Sequence, residues 1–75
     1  MYRIDLHGCD INQALSRIEF AFFEAQEQGH EIVEIITGNG MGVLKVIVEE
    51  YLRESNYEWS IEREGVYLVY LEDYY

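Results

Sequence analysis

Two short stretches hold the residues whose types and spacing could do chemistry. The first is Asp5-Leu6-His7-Gly8. Asp5 and His7 are separated by one residue, so in an extended strand both side chains leave on the same face. A carboxylate beside an imidazole favours the protonated ring and orients it. Such a histidine serves as general acid or base in phosphodiester cleavage, or grips a phosphate. The plainer reading is that Asp5 caps a turn and His7 is a partly exposed loop residue. The second stretch is Thr37-Gly38-Asn39-Gly40-Met41-Gly42. Its glycines let the backbone approach a ligand closely. Like Gly8, it leads into a helix, and a helix N-terminus favours an anion such as phosphate.

The other reactive side chains are less informative. Cys9 lies where a helix N-terminus would stabilise a thiolate, but no partner accompanies it and a small packing residue is the better reading. His30 follows a helix-ending glycine and is expected to be exposed. Two histidines and one cysteine do not supply the usual zinc ligands. No cofactor is expected, although Asp5 and His7 leave room for a divalent ion.

The elements that must position these residues are marked out by glycines; the chain has no proline. Tyr2 to Leu6 reads as a short strand, with Ile4 and either Leu6 or Tyr2 facing the core. Asp10 is an N-cap that Gln13 can complete as a capping box. Ile11, Ala14, Leu15, Ile18, Phe22 and Ala25 then form one helical stripe, which Gly29 ends. Glu31 to Thr37 is a β-branched run, apolar on both faces, as expected of a central strand. Leu44, Ile47, Val48, Tyr51 and Leu52 give a second helical stripe ending near Ser55. Tyr57, Trp59 and Ile61 alternate with Glu58, Ser60 and Glu62 in a half-exposed strand. A tight turn at Arg63-Glu64-Gly65 leads to a last strand over Val66 to Leu71. The order β-α-β-α-β-β predicts parallel first strands joined by a right-handed crossover, then a hairpin. The expected fold is an α/β (α+β) two-layer sandwich, two helices on a four-stranded mixed sheet. Ligands of open α/β sheets bind beyond the carboxyl ends of parallel strands, where both glycine-bearing loops fall.

The 75 residues suit one domain over 1–75, with 72–75 a fraying tail. With 49% hydrophobic residues a core is within reach, and a lone cysteine fits a reducing, cytoplasmic setting. The N-terminus lacks the basic start and apolar run of a signal peptide, and no stretch is apolar enough to span a bilayer, so no membrane partner is expected. Five basic residues face 15 acidic ones, a net charge of −10. This excludes a broad basic face for duplex binding. Any nucleic-acid contact must be local, through helix ends and backbone amides. Glu24, Glu27, Glu49 and Glu50 read as solvated charge on outer helix faces.

Phe20 lies opposite the first helix's apolar stripe and Phe23 at its margin. Exposed, one turn apart, they are either ordinary surface residues or a surface for a protein partner or homodimer. The tyrosines read mainly as sheet and core residues, though base stacking is open to such rings.

Asp5-Leu6-His7-Gly8, then Ile35-Ile36-Thr37-Gly38-Asn39-Gly40, then Leu44-Lys45 in a helix, resembles the Smr (small MutS-related) domain. The likeness runs from Ile4 to Leu71 and includes Gly29 and the closing Gly65-Val66-Tyr67-Leu68-Val69-Tyr70-Leu71. Met41-Gly42 follows the second motif directly, as in the shorter MutS2-type loop. The resemblance implies the βαβαββ sandwich of the C-terminal domain of translation initiation factor 3, with sheet order 1-2-4-3. It implies binding of RNA or DNA, often ribosome-associated, and endonuclease activity that cleaves RNA or nicks DNA. It places cleavage at Asp5 and His7, with Gly8, Thr37, Gly38, Asn39, Gly40, Gly42 and Lys45 holding the nucleic acid. The competing expectation is an inactive, acidic protein-interaction module of the same fold, working through Phe20 and Phe23.

Overall fold

The computed structural model describes residues 1–38 and 42–71. Asn39, Gly40 and Met41 of the glycine loop, and the expected tail 72–75, lie outside the described residues. The elements are β1 (Tyr2–Asp5), α1 (Ile11–Glu27), β2 (Ile32–Ile36), α2 (Val43–Glu54), β3 (Glu58–Arg63) and β4 (Val66–Tyr70).

Local chemistry sets the ends of α1. The Gln13 N–H donates to Asp10 Oδ1 at 2.8 Å, and the Asp10 N–H donates to Gln13 Oε1 at 3.1 Å. This reciprocal box satisfies two backbone donors that the helix cannot. Gly29, in the left-handed region, follows the last turn.

The sheet order is β1-β2-β4-β3, parallel between β1 and β2 and antiparallel elsewhere. One face carries Ile4, Val33, Ile35, Tyr67 and Val69, which pack with Ala14, Ile18, Phe22, Val48 and Leu52 of the two helices. Burying this apolar set is the main stabilising contribution. On the other face Arg3 stands opposite Glu34 in register and their side chains pair. That pairing lets Glu34 be buried on a central strand.

The structure corrects several expectations. Ile61 points to the expected side but is 54% exposed, because it sits on edge strand β3 where the register shifts between Ile61 and Arg63. Ile11 begins the stripe but is 42% exposed, since the stripe's first residue projects past the core toward the loops. His30 is half-buried rather than exposed, its ring edge-on to Tyr2 at 5.7 Å between centroids. Glu24 and Glu49 are not merely solvated: they accept hydrogen bonds from the hydroxyls of Tyr2 and Tyr67.

Candidate functional site

β1 stops at Asp5, and the chain then turns. The His7 N–H donates to Asp5 Oδ1 at 2.9 Å. The Cys9 N–H donates to the Leu6 carbonyl at 3.0 Å, closing a tight turn. Leu6 is buried and its N–H reaches the Ile36 carbonyl at 2.7 Å, which ties the turn to β2. His7 is thereby held outward between buried Leu6 and half-buried Cys9. The strand alternation that would have set the Asp5 carboxylate beside the imidazole ends one residue too early. The carboxylate holds the main chain of His7 instead, as an Asx-type turn. Cys9 packs against the core.

The second loop meets the first directly. Thr37 is buried, and its N–H donates to the Gly65 carbonyl at 2.8 Å. Its Oγ1 also lies 3.3 Å from the Gly38 carbonyl and 3.4 Å from that of Gly65. Gly38 has φ +83°, and a Cβ there would stand 3.5 Å from Cδ2 of His7. The imidazole thus rests on the Gly38 backbone. Beneath it, Gly65 has φ +78°, and a Cβ would lie 2.8 Å from the Gly38 carbonyl oxygen. Only glycine fits there. The β3–β4 turn is therefore a third component of the site. Its sequence signal, Arg63-Glu64-Gly65, read as a hairpin turn and as the start of the closing family motif, not as part of the site.

His7, Gly8, Thr37, Gly38, Gly42 and Lys45 line one cavity of about 620 Å³ between the starts of α1 and α2. Asp5 does not line it, and Asn39 and Gly40 are outside the described residues. Gly42 occupies the N-cap of α2 without a side-chain cap bond. Lys45 Nζ is paired with Glu64 Oε2 at 2.7 Å. The Lys45 ammonium holds the Glu64 carboxyl below the usual carboxylate range. Phe20 and Phe23 are 58% and 62% exposed on the outer face of α1 and do not line this cavity. Sequence reasoning missed Arg17. Its Nη1 donates to the Asp5 carbonyl at 3.1 Å, next to the His7 turn. A basic residue on the polar side of α1, about two turns past the cap, was the available signal.

The two glycine-bearing loops thus meet at the carboxyl ends of the parallel strands β1 and β2. The family model of the Smr domain matches residues 4–72. The chain belongs to the Smr-domain family. That family is linked to nucleic-acid binding and nicking. Among solved structures, the Smr domain of Thermus thermophilus MutS2 is similar over 97% of this chain and 100% of that one, at 25% identity and TM-score 0.88. The SMR domain of NEDD4-binding protein 2 matches over 97% and 88%, at 26% identity and TM-score 0.84. The B3BP Smr domain matches over 93% and 77%, at 25% identity and TM-score 0.80. No curated protein sequence matches the chain. Among the described residues of this Smr domain, no helix is long and apolar enough to cross a membrane. Nor do three His, Cys, Asp or Glu side chains gather there to hold a metal ion.

Proposed function

We propose that this Smr domain binds nucleic acid in the cytoplasm where the Asp5–Gly8 and Thr37–Gly42 loops meet, and cleaves phosphodiesters there. Structured or ribosome-associated RNA is the leading substrate. The supporting observation is the imidazole of His7 seated on Gly38, which joins the two loops in one cavity. His7 takes the proton from the attacking oxygen, a 2′-hydroxyl or water. That oxygen bonds to phosphorus, the bond to the leaving oxygen breaks, and the leaving oxygen takes up a proton. Asp5 fixes the main chain that presents the ring. Thr37, Lys45 and the amides of Gly8 and of residues 38–42 hold the phosphate.

The test is cleavage of labelled single-stranded, hairpin and duplex RNA and DNA at low salt, with and without EDTA. Wild type should cut, and His7→Ala should lose at least about 100-fold, the usual share of a general acid or base. Asp5→Asn keeps an oxygen that can accept the His7 N–H, so it should lose less than His7→Ala. Equal losses would mean that the Asp5 charge acts on the ring. The EDTA arm decides whether a metal takes part. Absence of binding by folded wild-type protein would sink the proposal.

A second reading rests on the exposure of Phe20 and Phe23. It makes the domain an interaction module that joins a protein partner or a second copy through α1. One of the similar domains belongs to a protein that binds NEDD4. A stable complex through α1, unchanged by His7→Ala and without nucleic-acid binding, would support it.

A further inference from the structure

The five basic side chains are not equivalent. Arg3 pairs with Glu34, Lys45 with Glu64, Arg53 with Glu49 and Arg63 with Glu62. Arg17 has no carboxylate partner among the described residues; the Asp5 carbonyl holds it. In a chain of net charge −10, the one cation left to a backbone oxygen stands beside His7. It does not stand in the cavity shared with Thr37 and Lys45. It lines an adjoining depression of about 540 Å³, with Gln13 and Ser16 beside it. His7, Gly8, Cys9 and Asn12 border both hollows. The second hollow offers a guanidinium, two amides and a hydroxyl, groups suited to a phosphate and its sugar. Phe20 lies one turn beyond both Ser16 and Arg17, exposed on the face that continues this hollow along α1.

We propose that Arg17 marks a second phosphate subsite for an unpaired, single-stranded segment of the bound nucleic acid, such as a loop of a structured RNA, whose adjoining base stacks on Phe20. This deepens the function proposed above and rests on it. The strand crosses His7 from the glycine-loop cavity into the Arg17 hollow and runs along α1. A single strand fits because its bases are free to stack on a ring, and stacking on Phe20 needs no basic surface. The guanidinium supplies the local positive charge that the overall composition denies the molecule.

The experiment measures binding of a labelled single-stranded oligonucleotide across a salt series, alongside the same strand made abasic at successive positions. Arg17→Gln should weaken binding roughly tenfold at low salt, as expected for loss of a charge-assisted hydrogen bond. It should also flatten the salt dependence by about 0.7, the contribution of one phosphate on a single strand. Arg17→Lys should restore most of the slope. Phe20→Ala should weaken the intact strand at least about fivefold and leave one of the abasic strands unaffected. Both positions are exposed, and unchanged circular dichroism would confirm folding. Wild-type affinity and slope in Arg17→Gln would overturn the Arg17 subsite. Equal loss on intact and every abasic strand would overturn stacking on Phe20. Failure of wild type to bind any strand would instead remove the parent function. A dimer dispersed by Phe20→Ala, with oligonucleotide binding intact, would overturn the proposal and assign α1 to protein contact.

Discussion

His7 owes its place to its main chain, because the Asp5 carboxylate accepts its N–H and leaves the ring on Gly38. Lys45 is arranged in the opposite way. Lys45 lines the site's cavity, but its ammonium is held by the exposed carboxylate of Glu64. An incoming phosphate must compete with that carboxylate. The pair is solvent-facing on the Glu64 side, so it holds Lys45 only weakly. Glu64→Gln should therefore strengthen binding of a phosphorylated ligand by roughly two- to fivefold at low salt. The gain should vanish at high salt, as screening removes the competition. Titration by fluorescence anisotropy reads both. Unchanged or weaker binding would mean that Glu64 orients Lys45 for its ligand instead of blocking it.

At the scale of elements, the site is a meeting of three turns. The β1–α1 turn carries His7, the β2 end carries Thr37 and Gly38, and the β3–β4 turn carries Gly65. The Thr37 N–H donates to the Gly65 carbonyl, and its hydroxyl lies between that carbonyl and the one of Gly38, which joins the last two. A methyl group at Gly65 would enter the left-handed region and press on the Gly38 carbonyl. Gly65→Ala should cost about 2 kcal/mol of stability from backbone strain and the forced shift. In a domain of this size the melting temperature should drop by roughly 10 °C. Because the shift falls on Gly38, His7-dependent activity should fall even well below the melting temperature. A variant as stable and active as wild type would show that this turn does not support the site.

Across the whole molecule, acidity leaves its mark in two ways. Among the described residues four of the five basic side chains are drawn into ion pairs, and Arg17 is held by a backbone oxygen instead. Carboxylates also serve as partners for phenols. Tyr67 is buried and donates to Glu49 at 2.8 Å. Burial, and then the Glu49 carboxylate, push its hydroxyl far above the ordinary tyrosine range. Tyr2, through its bond to Glu24, and Tyr51, through burial, are raised as well. A raised value means that the folded chain keeps protons the unfolded chain releases near pH 10. Stability should be fully present below that pH and fall above it. For Tyr67 the slope should approach about 1.4 kcal/mol per pH unit. Urea denaturation from pH 9 to 11.5 should show the fall, and Tyr67→Phe should make it shallower. Parallel curves would rule out Tyr67 as its source.

Periodicity and punctuation were enough to read the six elements, the two-layer class and the parallel β1–β2 pair. Those features follow from short-range rules: apolar spacing, the Asp10–Gln13 cap, the glycine after α1 and the crossover between the first strands. Spacing and resemblance also brought His7, Thr37, Gly38 and Lys45 to one end of the sheet. Contacts between residues far apart in the chain were not legible in this way. The sequence could not show that Asp5 would hold a main-chain N–H, since that depends on β1 ending one residue before the pattern suggests. Nor could it place Gly65 under Gly38, bury Glu34 against Arg3, or expose Ile61 at a bulged edge. The four ion pairs among the described residues were equally hidden. Local patterning fixes which face each residue takes. Which groups meet across the turns depends on the register and ends of strands, and tertiary packing decides those.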